Sequence, residues 1–401
     1  MLLPRFLCCT LMCALSFNSY AGEVQQQLDE LIRMAQGKRL GIITNPAAGD
    51  ENGSPDADYL AQAKGTTITA FFAPEHGLRG ILPAGRGDKD YVDPATSIPV
   101  YAVYGPRKAP TAEQLDKLDI LVYDLQDVGA RFYTFMWTMT YCMDAAASAG
   151  KQFVVIDRPN PVGGEKIEGP ANQIDYGLIG RLLPSQGLGV ATRHGMTVGE
   201  VATMWNAETT GPKSLLTVVK MKGWKRGQLW NETGRKFVPP SPNLRTAQAT
   251  NVYPGTCIFE GTKLSEGRGT PRPFEMIGAP FVDAAQFAEA LTSQSLAGVT
   301  FEPVHYTPTS SKYSGKECGG VAMQVTDPEK FESVRTGLTM LKTALKLYPD
   351  DMKSTGTASR LAGIPMIESR LNAESVDQIL KSVGPSRERF LAIRKKYLLY
   401  N

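Results

Sequence analysis

Histidine is scarce in this 401-residue chain, with three copies, and cysteine nearly so, with six. His76, His194 and His305 lie far apart and show neither H-x-x-x-H nor H-x-x-E-H spacing, so the usual zinc-hydrolase signatures are missing. No G-x-G-x-x-G follows a strand, and EGTKLSEGRGT lacks the lysine of a phosphate-binding loop; no dinucleotide, nucleoside triphosphate or other cofactor is expected. A G-x-S-x-G elbow is absent, and Ser148-x-x-Lys151 falls between a helix end and a strand start, which argues against serine catalysis. Charge of one sign is also wanting: 43 Lys+Arg face 40 Asp+Glu. The basic cluster Arg394, Lys395 and Lys396 reads as the last turn of a C-terminal helix, so no nucleic-acid partner is expected. Finally, no apolar run reaches the roughly 20 residues that span a bilayer.

The longest such run, residues 6–17, follows Arg5 and precedes small residues ending at Ala21, the layout of a secretory signal peptide over 1–21. Cys8, Cys9 and Cys13 leave with it, and without a lipobox the mature chain has no membrane anchor. Of the remaining cysteines, Cys257 and Cys318 form the favoured bridge in an oxidising compartment, the alternative being three buried thiols with Cys142. A mature chain of this length exceeds what one core supports, so two domains are expected.

What the chain does have is alternation. Apolar runs at 39–45, 66–73, 99–105, 119–126 and 152–159 read as strands buried on both faces, with helices at 56–64, 111–117 and 133–149 between them and an amphipathic helix ahead at 23–36. The expected fold is α/β: a Rossmann-like parallel-sheet domain over 22–280, then a smaller α+β domain over 281–401, with ligands beyond the carboxyl ends of the strands.

Polar residues collect at that edge. APEHGLRG places Glu75, His76 and Arg79 after the second strand; YDLQDVGARFYTF places Asp124, Gln126, Asp127, Arg131 and Tyr133 after the fourth; DRPNPVGG places Asp157, Arg158 and Asn160 after the fifth. Each cluster alone suits ordinary loop capping, but three at one edge define a cleft. His194 precedes a Thr197-x-x-Glu200 capping box. A Gly-rich loop at 255–278, with Glu260, Ser265, Glu266 and Arg268, is expected to return to the cleft.

Carboxylates, Asn and Arg around a cleft suit glycoside hydrolysis, in which one carboxylic acid protonates the leaving oxygen. Glu75 is the choice for that acid, because it follows the apolar AFFAP and burial favours the protonated form. Asp124, Asp127 and Asp157 have Arg131 and Arg158 close in sequence to hold them ionised; the bland reading keeps Glu75 as a partner of Arg79.

In order along the chain, APEHGLRG, YDLQDVGARFYTF, DRPNPVGG with EGP, RHGMTVGE, YPGTCIFEGTKLSEGRGT and HYTPTSSKYSGKECGGV resemble the NamZ family of bacterial exo-β-N-acetylmuramidases. The resemblance implies a glycosidase of peptidoglycan turnover that releases N-acetylmuramic acid from the non-reducing end of glycan fragments, with Glu75 as its acid and a cleft between two domains; the signal peptide makes it an exported enzyme, periplasmic or secreted. Recognition of the lactyl carboxylate calls for an arginine, with Arg79, Arg131, Arg158 and Arg268 as candidates. Gln126, Tyr133 and Asn160 would serve the sugar, and His76 would orient Glu75 or water. Asp127 or the substrate's acetamido group remains open as the second catalytic group. Rival readings are a non-catalytic periplasmic sugar-binding protein, disfavoured by few aromatics near the cleft, and a metal-dependent hydrolase built on His76, Asp124 and His194.

Overall fold

The structure is a computed structural model describing residues 22–50, 52–352 and 356–401; the signal peptide read at 1–21 lies outside them. The main sheet has seven strands: β1 (Arg39–Thr44), β2 (Thr67–Ala73), β3 (Tyr91–Val92), β4 (Pro99–Ala102), β5 (Ile120–Asp124), β6 (Gln152–Ile156) and, after a short β7 (Glu168–Ala171) and β8 (Ala191–Arg193) ribbon, β9 (Leu215–Val219). Their order is β3-β4-β2-β1-β5-β6-β9, parallel throughout except for the edge strand β3. All five runs read as strands from the sequence are in it. The β9 segment LLTVV carries the same short β-branched signal and escaped that reading.

Burial on both faces explains the continuous apolar runs. On one face the helix Glu23–Met34 sets Val24, Leu28 and Leu31 against β1, β2 and β5. On the other, the helix Thr134–Ser148 contributes Phe135, Trp137, Met139 and Met143, and this core runs on without a break into the smaller domain at Phe259, Phe274, Val321 and Leu338. That domain holds an antiparallel sheet, β10 (Met276–Ala279), β12 (Cys318–Val325) and β11 (Val299–Tyr306), backed by helices Ala284–Thr292 and Ser333–Leu347.

One close approach fixes where the two domains meet. A Cβ on Gly255 would sit 1.8 Å from the Ser333 carbonyl oxygen, and one on Gly337 would sit 2.0 Å from that of Gly255. The helices Ala247–Thr256 and Ser333–Leu347 therefore touch backbone to backbone, which only glycine permits. The turn Cys257–Gly261 that follows is delivered to the domain junction. The expected Cys257–Cys318 bridge is not formed: Cys142, Cys257 and Cys318 are buried free thiols. Cys257 belongs to that junction turn, whereas Cys318 opens β12 opposite Tyr306.

The strand ends do not all open on one cleft, as the sequence suggested. Arg158, after β6, is buried and grips Asp124 at the end of β5 (Nε to Oδ1, 2.8 Å), Asp56 and the Gly49 carbonyl (3.2 Å). In an open parallel sheet the ligand crevice lies where strand order reverses, here between β1 and β5. Ion pairs fill it. Burial, with Asp124 beside it, raises the Asp56 carboxyl well above the usual range against the pull of Arg158.

Asp157 is equally committed to the scaffold. It accepts from the backbone N–H of Gly199 (2.8 Å), the Thr197 hydroxyl (2.8 Å) and the Tyr400 hydroxyl (2.5 Å), binding the chain terminus to the helix Val198–Glu208. The capping box read at Thr197 and Glu200 opens that helix. Burial pushes the Asp157 carboxyl up to about 6. Between about pH 4 and that value the folded chain keeps a proton the unfolded chain has released, so this group's contribution to stability falls as pH rises across the window. Asp157→Asn removes the slope. The stability of wild type relative to the variant should fall by up to about 3 kcal/mol from pH 4 to 6 in denaturant titrations; a difference independent of pH contradicts the assignment.

Candidate active site

Glu75 follows β2 directly and is 8% exposed. Its Oε1 accepts from the backbone N–H of Gly85 at 2.6 Å, and its Oε2 meets the Thr134 hydroxyl at 2.8 Å, in the first turn of the helix Thr134–Ser148. These partners differ in kind. A backbone N–H only donates, whereas a hydroxyl donates or accepts. Burial first, then the Glu75 charge, pushes the nearby Tyr104 phenol up, keeping it a neutral hydroxyl.

The loop supplying Gly85 is stitched down by the EHG motif itself. His76 adopts a left-handed backbone (φ 74°); its Nδ1 donates to the Leu82 carbonyl (2.9 Å), its N–H to that of Arg86 (3.0 Å), and its own carbonyl accepts from Leu82 (3.1 Å). Arg79 anchors the same loop through Asp93 (2.6 Å) and Asp58 (3.1 Å). Gly77, at φ 79°, leaves room for the Asp88 carboxylate, which a Cβ would meet at 2.6 Å.

Around Glu75 lies a pocket of 240 Å³ between the two sheets. Its wall is aromatic: Tyr104, Phe132, Tyr133, Tyr253 and Phe274, with Phe132–Tyr253 and Tyr253–Phe274 edge to face at 5.1 and 4.7 Å between centroids. The scarcity of aromatics inferred from the sequence is thus corrected, because Tyr104, Tyr253 and Phe274 arrive from segments distant in the chain. Glu260 and Arg268 complete the lining. Arg268 Nη2 donates to Glu260 at 2.6 Å and its Nε lies 3.0 Å from Glu266, while the guanidinium sits 5.2 Å from the Phe274 ring centroid.

Of the residues read from the sequence, Glu75, His76, Tyr133, Glu260 and Arg268 reach this pocket. Tyr133 contributes its ring, its hydroxyl being bound to the Pro240 carbonyl (2.9 Å). The others do not line it. Arg79, Asp124, Asp157 and Arg158 are held as described above. Asp127 accepts from Gly129 N–H (2.7 Å) and His194 Nε2 (3.2 Å), and His194 Nδ1 accepts from Met196 N–H (3.2 Å). Gln126 donates to the carbonyls of Asp127 (2.8 Å) and Pro159 (2.7 Å), and Asn160 to that of Met196 (3.0 Å). Arg131 stands behind the wall, fully buried, donating to the carbonyls of Ile179 (3.0 Å) and Leu361 (2.6 Å), with burial lowering its pKa to about 10. His76, Asp124 and His194 thus have separate partners, and among the described residues no three His, Cys, Asp or Glu side chains gather in a metal-binding cluster. The residues missed were Gly85, Tyr104, Thr134, Ser241, Tyr253 and Phe274. Thr134 and Tyr253 stand inside the quoted motifs; Tyr104 ends the third predicted strand, as Glu75 follows the second.

The pocket is smaller than the roughly 300–1,000 Å³ of typical ligand sites. A buried carboxyl beside a hydroxyl, an aromatic wall and a second carboxylate are the parts of a glycoside hydrolase site. The chain belongs to the NamZ exo-β-N-acetylmuramidase family, whose N-terminal and C-terminal models match residues 40–248 and 251–400. It is 46% identical over 385 residues to the peptidoglycan β-N-acetylmuramidase NamZ of Bacillus subtilis, covering 94% of this chain and 92% of that one. Two crystal structures of DUF1343 family proteins from Bacteroides fragilis share the fold, with TM-scores of 0.83 and 0.73 at 32% and 28% identity, each covering 94% of this chain and 98% of its own.

Proposed function

We propose that this chain removes N-acetylmuramic acid from the non-reducing ends of peptidoglycan glycan fragments, with Glu75 as general acid. The observation that carries the reading is the buried Glu75 carboxyl in a small aromatic-walled pocket at the junction of two domains that both match the exo-β-N-acetylmuramidase family. Oε2 gives its proton to the glycosidic oxygen as the C1–O bond breaks; water adds to C1, and its proton passes to a base. Glu260, the pocket's other carboxylate, is the protein group for that last role, in place of the Asp127 expected from the sequence. Arg268 is the arginine of the lining, and with Nη2 and Nε turned to Glu260 and Glu266 its Nη1 is left for the lactyl carboxylate. The sequence pattern at 1–21, read as a signal peptide, supports work outside the cytoplasm; no helix among the described residues is long and apolar enough to cross a membrane.

The test compares release from nitrophenyl β-N-acetylmuramoside and the matching glucosaminide, with and without chelator. Muramoside-selective release that chelator leaves unchanged is expected. Equal rates on the two sugars would remove the lactyl recognition, and loss of activity with chelator would favour metal chemistry.

A further inference from the structure

A second cavity adjoins the Glu75 pocket. It is larger, at 560 Å³, more open, and shares Ala84, Gly85, Glu260 and Arg268 with the inner pocket. Gly85 joins the two, since its N–H binds Glu75 Oε1 and its backbone borders both cavities. The acid, in the inner pocket, is thus one hydrogen bond from a residue that both cavities share. In a glycosidase the general acid must reach the oxygen joining the departing sugar to the one attacked, so the space on its far side receives the leaving group.

The two cavities differ in chemistry. The inner wall is aromatic; the outer one, beyond the shared residues, is formed by Pro83, Asn243, Glu266, Ser310, Ser311 and Lys312. The last three come from the hairpin tip between β11 and β12, which is fixed against the segment from Phe259 to Gly269. Thr309 gives both its N–H and its hydroxyl to the Gly269 carbonyl (2.9 Å each). Lys312 Nζ binds the carbonyls of Phe259 (2.7 Å), Glu260 (3.1 Å) and Leu264 (3.0 Å) and the Glu266 carboxylate (3.0 Å), and Tyr313 donates to the Lys263 carbonyl (2.7 Å). Ser311 and Tyr313 hold left-handed backbones at φ 66° and 57°, a cost that surrounding contacts must impose. The ammonium is thus occupied, whereas the Ser310 and Ser311 hydroxyls are exposed at the rim.

We infer that this outer cavity is the binding site for the N-acetylhexosamine on the reducing-end side of the scissile bond, with Asn243 and the hydroxyls of Ser310 and Ser311 as its hydrogen-bonding groups. The inference rests on the proposed function and extends it to the leaving sugar. Because the tip is held rigidly, its hydroxyls are positioned before substrate arrives and little ordering entropy opposes binding.

The experiment measures kcat/KM on two substrates, the N-acetylmuramyl-N-acetylglucosamine disaccharide and nitrophenyl β-N-acetylmuramoside, for wild type, Ser310→Trp and Asn243→Ala. Ser310→Trp fills the cavity and Asn243→Ala removes one contact, so either variant alone suffices if the other fails to fold. The ratio of kcat/KM for the disaccharide to that for the aryl muramoside is expected to fall at least tenfold in Ser310→Trp and severalfold in Asn243→Ala. An unchanged ratio in folded variants of an active enzyme overturns the inference and leaves the proposed function standing. A wild-type protein that cleaves neither substrate overturns both.

Discussion

Glu75→Gln should lower kcat on the N-acetylmuramyl disaccharide by about 10²- to 10⁴-fold, the usual worth of a positioned general acid, while leaving the thermal midpoint nearly unchanged. The substitution is close to isosteric. The amide oxygen still accepts from Gly85 N–H, and the amide nitrogen donates to the Thr134 hydroxyl, so both observed contacts survive while the transferable proton is lost. A further signature separates an acid from a group that merely binds. A nitrophenolate leaves without protonation and a sugar alkoxide does not, so the variant's loss should be much smaller on the aryl muramoside than on the disaccharide. Equal losses on both would assign Glu75 to binding or orientation, and undiminished activity would remove it from the mechanism.

Arg158→Met should destabilise the fold by about 3–5 kcal/mol, since it leaves the buried carboxyl groups of Asp124 and Asp56 without the guanidinium that binds both. Denaturant titration measures the loss. The folded fraction of the variant should retain kcat/KM on the aryl muramoside within about threefold, because this network lies under the sheet edge and outside the Glu75 pocket. A stable but inactive variant would return Arg158 to the substrate site suggested by the sequence; a change below about 1 kcal/mol would contradict the plugging role of the ion pairs.

The contrast between Glu75 and Asp127 explains how far the sequence could lead. Both follow an apolar strand and stand among Gly, Arg and aromatic neighbours, so local pattern assigns them different roles, acid and second catalytic group, but places both at the cleft. Their difference arises from what packs against them. Asp127 is turned toward His194 and its own loop, three strands' worth of chain away in sequence, whereas Glu75 is met by Gly85 and Thr134 at the domain junction. Arginines divide in the same manner. Arg79, Arg131 and Arg158 satisfy carboxylates and carbonyls of the scaffold, and Arg268, from the smaller domain's side of the chain, is the one of the four that reaches the pocket.

By itself the sequence determined the parallel sheet, five of its seven strands, the capping box at Thr197, the family and the glycosidase class, because these depend on local periodicity and on motifs in a fixed order. Tertiary structure alone decided which strand end is open. The crevice where strand order reverses is sealed by Arg158, and the cavity forms instead where Gly255 and Gly337 let two helices touch and bring Glu260, Arg268 and Tyr253 opposite Glu75. Such a choice depends on contacts between residues nearly 200 positions apart, whose pairing is fixed by close packing and burial of charge, and neither has a local period to read.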